Sequence, residues 1–301
     1  MSLEADLIVD RARMKRRLLR WRVLAVAAIA LAAGLAAGVT GLGLDRPHVA
    51  RLAVSGVITD DRSVSEALRK LADDTSVRAL IVAIDSPGGT VAGGEALHDA
   101  LARVAEKKPV VAVMGAIAAS AGYMVAMPAS RVFAREGTLT GSIGVIMQTV
   151  EVSRLMASLG IGAEALTSGA LKDQPSPFHP LSPEGRAALA AIIADLHGQF
   201  VRRVAAGRHM EEAVVRTIAD GRAMTGRQAL DLGLVDAIGG ETEARAWLAA
   251  ERSVPERLPV RTLAGPDALG GLFSGALGAI QRALAGAWLS LDLPMALWQP
   301  R

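Results

Sequence analysis

Apolar residues run almost unbroken from position 77 to 84 as V-R-A-L-I-V-A-I, and D-S-P-G-G-T follows at once over 85–90. A run this short, rich in branched side chains and closed by a Pro-Gly-Gly turn, predicts a strand buried on both faces of a parallel sheet. Similar runs predict strands near 48–54, 110–114, 131–134, 145–150 and 163–167. Between them apolar positions recur at helical spacing, which predicts helices near 64–72, 91–105 and 120–127. Strands that alternate with helices in this way build an α/β fold with a largely parallel sheet, whose functional loops gather at the carboxyl ends of the strands. Ser182-Pro183-Glu184 reads as an N-cap followed by proline at the first helical position, opening a long helix to about Ala206. Thr225-Gly226-Arg227-Gln228 reads as a capping box for a short helix ending near Gly233. Prolines 175, 177 and 180 mark 174–181 as a linker.

Two other apolar stretches carry different chemistry. Residues 23–44 are uncharged and rich in Ala, Leu, Val and Gly, and at ~1.5 Å per residue such a helix crosses a ~30 Å hydrocarbon core. Arg11, Arg13, Lys15, Arg16, Arg17, Arg20 and Arg22 precede it, so the positive-inside rule keeps residues 1–22 in the cytoplasm and sends the remainder across as a retained anchor in the inner (cytoplasmic) membrane. These seven cations account for much of the basic excess behind the net charge of +3; they suit anionic lipid, and no nucleic-acid partner is expected. The stretch 269–291 is apolar but holds Gln281 and Arg282 at its centre, which disfavours a second span and predicts an interfacial or subunit-packing helix. The expected organisation is a basic tail (1–22), an anchor (23–44), one large domain (45–265) and a C-terminal amphipathic helix (266–301). Cysteine is absent, so disulfides, thiol chemistry and Cys-based zinc sites are excluded. None of the five histidines lies in a metal-ligand spacing, no phosphate-binding glycine loop occurs, and no cofactor is expected. His179 and His197 read as surface or packing residues.

The candidate chemistry begins with a scarcity. Of 33 basic residues only Lys15, Lys70, Lys107, Lys108 and Lys172 are lysine. Guanidinium does not deprotonate in proteins, whereas a desolvated amine does, so a site that needs a base must keep its lysine. Lys172 lies in S-G-A-L-K-D, and upstream Ser120 lies in A-A-S-A-G-Y, where a loop opens into an apolar helix. Together they point to a nucleophile and its base. The base amine must fall from ~10.4 to near neutrality, a change of roughly 4 kcal/mol that desolvation has to supply. Hydroxyls orient such an amine without adding charge, and Ser142 and Thr140 in T-L-T-G-S-I-G-V are both candidates. Asp173 is expected to point away from its neighbour. Gly88 and Gly89 let backbone N–H groups approach a ligand, and the N–H of Ala121 stands at a helix start; these are the candidate donors to a developing oxyanion.

Five segments in this order, D-S-P-G-G-T, A-A-S-A-G-Y, T-G-S-I-G-V, S-G-A-L-K-D and G-R-A-M-T-G-R-Q-A-L-D-L-G-L-V-D, resemble the signal peptide peptidase SppA family, membrane-anchored serine peptidases of the Clp-protease/crotonase superfamily. The resemblance covers about 54–248. It implies a fold of repeated ββα units behind one N-terminal transmembrane helix, with Ser120 as nucleophile, Lys172 as general base, Ser142 supporting the lysine, and Gly88 or Gly89 with Ala121 as oxyanion donors. It also implies a ring-like homo-oligomer whose neighbouring protomers complete each other's sites, and peptide substrates, residual signal peptides among them, cleaved through an acyl-enzyme. The chain departs from the family's commoner pattern where Ala121 replaces a glycine. The alternatives are a related membrane peptidase with another substrate, a crotonase-like acyl-CoA enzyme and a non-catalytic membrane scaffold; a CoA enzyme would need a cytosolic CoA supply, and a scaffold has no use for both Ser120 and Lys172.

Overall fold

The computed structural model describes residues 14, 15, 17–28 and 46–263, which fall into two compact units divided between Pro47 and His48. In the first unit the described residues up to 28 are helical and exposed, Trp21 and Leu24 among them. The expected anchor lies outside the described residues from position 29 onward, as does the apolar stretch 269–291. Among the described residues no helix is long and apolar enough to cross a membrane.

The second unit is built on an eight-stranded sheet in the order β6-β5-β3-β2-β1-β8, with β4 and β7 branching from β3. The central strands are β1 (His48–Ile58), β2 (Val77–Gly89) and β3 (Val110–Ala119), all parallel. On one face Leu52, Val54, Leu80, Val82 and Ile84 pack against three helices, α1 (Arg62–Asp73), α2 (Val91–Ala105) and α3 (Ala121–Ala126), and against the later half of α5 (Pro183–Arg208). On the other face Val49, Ala79, Ile81, Val111 and Phe133 receive Ala244 and Leu248 of α8 (Glu241–Arg252). Burial on both faces is why β2 reads as a continuous apolar run. The helix starts are those the chain signals: the Asp61 carboxylate accepts from Ser63 and Val64, Ser182 caps α5 with Pro183 in the first turn, and Thr225 and Gln228 form the capping box of α7 (Gly226–Asp231).

Strand β3 forks the sheet. Its first half pairs β4 (Arg131–Ala134) and its last residues, Ile117 to Ala119, pair β5 (Leu139–Gly141), which is closed off by antiparallel β6 (Ala223–Thr225). The change of partner accompanies a bulge: from Ile84 to Ser86 β2 advances two residues while β3 advances four, from Met114 to Ala118. The short β7 (Ala237–Ile238) pairs β4, and β8 (Val260–Thr262) pairs β1.

Several expectations need correction. The D-S-P-G-G segment is not a loop after β2 but its end, because Val57 and Ile58 of β1 continue the ladder opposite Gly88 and Gly89. No strand forms over 145–150 or 163–167. Among the described residues these runs find no ladder partner, and most of their apolar side chains stand in solvent, with Val150 71% and Leu166 94% exposed. A short helix, α4 (Ser153–Ser158), lies between them, and α6 (Glu212–Ile218) follows α5.

A polar staple closes the far side of the core. Asp236 accepts the Val132 N–H at 2.7 Å and both terminal nitrogens of Arg208 at 2.6 and 3.0 Å, while the buried Tyr123 hydroxyl donates to Leu234 O at 2.7 Å. Burial opposes the Asp236 charge, but Arg208 and the Val132 N–H outweigh it and hold the carboxyl below the usual carboxylate range. Its contribution to stability is therefore present above the unfolded value near ~4 and disappears as pH falls through the lower folded value. Asp236→Ala leaves Arg208 buried without its partner, and chemical denaturation at pH 7 is expected to show a loss of about 3 kcal/mol that shrinks toward pH 3.

Candidate active site

The end of β3 turns into α3 through a single residue, Ser120, whose φ of 54° and ψ of −122° lie in a region that L-residues rarely occupy. Such a conformation costs on the order of 1–3 kcal/mol and survives only where its surroundings over-determine it. Here they do. The Ser120 N–H donates to Gly141 O at 2.9 Å, and Ser120 O accepts from Tyr123 and Met124 at 2.9 and 3.0 Å to start the helix. From the other side β2 presses so close that a Cβ at Gly88 would stand 2.9 Å from Ser120 Cβ and 3.1 Å from Ala119 O. Small residues make that approach possible elsewhere too: a Cβ at Gly122 would stand 2.9 Å from Ser86 O, and one at Gly94 of α2 would stand 3.0 Å from the Ala121 methyl.

Ser120 occupies the N-cap position of α3, yet its hydroxyl makes no capping hydrogen bond. The ordinary structural reason for a serine at a helix start is therefore missing. A half-buried serine on a strained strand-to-helix turn, its hydroxyl without a hydrogen-bond partner among the described residues, is how a protein presents a nucleophile.

The candidate donors differ among themselves. Ala121 is the first residue of α3, so its N–H is one that the helix cannot pair internally, and its nitrogen lies 3.3 Å from where a Gly88 Cβ would be. The Gly88 N–H donates to Ser86 Oγ at 3.1 Å, and that hydroxyl donates on to Gly56 O at 2.6 Å. Gly89 faces β1: a Cβ there would overlap Ile58 O at 1.9 Å, so the second glycine is required by strand approach.

Of the two candidate hydroxyls, Thr140 is buried and donates to Ala118 O at 2.7 Å, which commits it to the β3–β5 seam. Ser142 is half-buried and follows Gly141, the residue whose carbonyl holds Ser120; its own N–H donates to Arg222 O at 2.9 Å. The structure thus gathers Gly88, Ser120, Ala121 and Ser142 around one turn. Lys172 makes no hydrogen bond to that group among the described residues. It is exposed on a turn closed by its N–H to Gly169 O at 3.0 Å, and among the described residues no hydrogen bond links its ammonium to Ser120 or Ser142. Asp173 does point away from it, toward His179 Nε2 at 2.8 Å. His197 bonds Ala219 O at 2.8 Å and acts as a strut between α5 and the segment after α6. Among the described residues no group of three or more His, Asp or Glu could hold a metal ion.

The model of Peptidase family S49 matches residues 102–255, half of the chain, and takes in Ser120, Ser142 and Lys172. The chain belongs to peptidase family S49. As an S49 member it is a serine peptidase, and the likeness to the SppA family read from the five motifs agrees with the relatives found. It is 41% identical to "Putative protease slr0021" of Synechocystis sp. over 74% of this chain and 82% of that one. It is 32% identical to "Putative signal peptide peptidase SppA" of Enterococcus faecium over 71% of this chain and 66% of the relative. With "Protease 4" of Haemophilus influenzae the identity is 31% over 65% of this chain, which spans only 33% of that longer protein.

Sequence reasoning missed Ser86, whose hydroxyl ties the Gly88 N–H to β1. A signal was present, since alternation along β2 puts position 86 on the inward face with Ile84 and a buried hydroxyl needs partners. It also missed Gly141, whose carbonyl anchors Ser120 and whose φ of 74° calls for glycine. Gly88→Ala in this S49 peptidase is expected to displace Ser120 and lower kcat/KM for peptide hydrolysis by about a hundredfold or more, since an ångström of misplacement costs that much. Turnover measured beside circular dichroism checks this: a folded variant of undiminished activity would contradict the packing described.

Proposed function

We propose that this chain is a membrane-anchored endopeptidase that cleaves residual signal peptides and other membrane-proximal polypeptides with a Ser-Lys dyad. The observation that carries the reading is the strained Ser120, wedged against Gly88 and Gly141 with its hydroxyl uncommitted. Ser120 Oγ attacks the scissile carbonyl, Lys172 takes its proton and returns it to the leaving amine, and water then hydrolyses the acyl-enzyme. The Ala121 N–H faces the oxyanion, joined by Gly89 or by the Gly88 N–H once it leaves Ser86 Oγ, and Ser142 steadies the amine. Signal peptides as substrates are supported by the name of the Enterococcus faecium relative. Anchoring is supported by the uncharged run at 23–44 behind seven cations.

A lysine base must be desolvated, and Lys172 is exposed on the single chain. The same stretch of chain exposes Ile146, Val150, Leu155, Leu159, Leu166 and Phe178, large apolar side chains that a partner would cover. Both facts favour assembly of identical chains in which Lys172 of one protomer, buried by the contact, reaches Ser120 of the next.

A fluorophosphonate probe is expected to label the wild-type protein and leave Ser120→Ala unlabelled though folded; labelling of the alanine variant would name another nucleophile. Lys172→Arg is expected to be as inactive as Lys172→Ala, each down at least about a hundredfold, because guanidinium keeps its proton. Substantial turnover in the arginine variant would make Lys172 structural. Fusions after Leu44 are expected to activate an exported reporter and not a cytoplasmic one, and the reverse pattern would overturn the topology.

A further inference from the structure

His179 makes two contacts that constrain its charge. Its Nδ1 lies 3.1 Å from Pro180 O and its Nε2 lies 2.8 Å from Asp173 Oδ2. A peptide carbonyl and a carboxylate only accept hydrogen bonds, and a neutral imidazole has a single N–H. Both contacts are hydrogen bonds at once only for the imidazolium. We propose that His179, as a cation, is a positioning residue that clamps the Asp173 carboxylate and keeps its negative charge off Lys172, the residue beside it. The inference rests on the reading of Lys172 as general base.

The surroundings favour the charged ring. The segment carrying His179 lies on the start of α4, where Val152 N–H donates to Pro177 O at 2.8 Å. From there Glu151 adds a second negative charge in range of the ring, while Arg154 is the cation that offsets Glu151; Lys172 is the other cation of the loop. The Pro180 carbonyl first, and then Asp173, raise the His179 pKa above the ordinary histidine value. Asp173 lies one residue from the amine, and unclamped it would stabilise the ammonium and withdraw the free base that attack on a peptide requires. Screened by the solvent that reaches the Asp173–His179 pair, one carboxylate within ~6 Å of an amine raises its pKa by about half a unit.

The test is the pH dependence of kcat/KM for a fluorogenic peptide, measured on the full chain in detergent between about pH 6 and pH 10. His179→Gln is expected to move the rising limb upward by about half a unit, a threefold loss on the acidic side that vanishes at alkaline pH. His179→Arg, which keeps a cation against Asp173, is expected to hold the limb at the wild-type position. In the double variant His179→Gln/Asp173→Asn, with no charge left to clamp, the limb is expected to return to the wild-type position or below it. A uniform loss at every pH, or a double variant shifted like the single one, makes His179 a loop strut and overturns the proposal. Lys172→Ala separates the two levels: if it keeps its activity, the base assignment fails and the proposal with it, whereas an inactive Lys172→Ala beside an unmoved His179→Gln limb sinks the clamp alone.

Discussion

The close passage of β2 beneath the end of β3 is the constraint on which the rest of the site depends. Ser120 holds a disfavoured backbone conformation because Gly141 takes its N–H and because Gly88 brings no side chain into the space that Ser120 Cβ needs. Gly88 can be there only because β1 extends β2 beyond its apolar run, and β1 can do so only because Gly89 lets Ile58 O approach. Each glycine answers a different contact. The turn at Ser120 is thus an extension of the sheet, and its strain is balanced by the packing of the larger core cluster among the described residues.

Charge is distributed with similar economy. The half-buried carboxylate of Asp236 is matched by Arg208 and a backbone donor, so its charge is met where it lies. Around Ser120 the polar groups are hydroxyls and amides, of Ser86, Thr140, Ser142 and the backbone. Neutral hydrogen-bonding surroundings suit a nucleophile whose base must shed its own charge before it can act.

Much of this was legible in the chain. Apolar runs located the central strands, caps at Ser182 and Thr225 located two helices, and Ser120 announced itself by lying between small residues at a helix start. What was not legible depended on partners distant in sequence. The fork of β3 comes from a bulge opposite Asp85, and no local pattern at Gly115 and Ala116 encodes a change of neighbour. The runs at 145–150 and 163–167 read as strands because hydrophobicity reports a wish to be buried, not the surface that will do it. Ser142 and Thr140 looked equivalent, and only the register of β5 against β3 showed that Thr140 is committed to Ala118 O.

The turn at Ser120 and the loop that carries Lys172 differ in how firmly they are held. Ser120 and Gly88 are knitted into strand ladders and a buried helix, so their arrangement persists until the domain as a whole unfolds. Lys172 and its loop rest on a few turn hydrogen bonds with little apolar contact, the profile of a segment that opens by itself at low free-energy cost. Heating or mild denaturant would therefore loosen the Lys172 loop while the sheet remained intact, and cooling would restore it without any refolding of the core. In the dyad proposed above, activity would report the state of that loop.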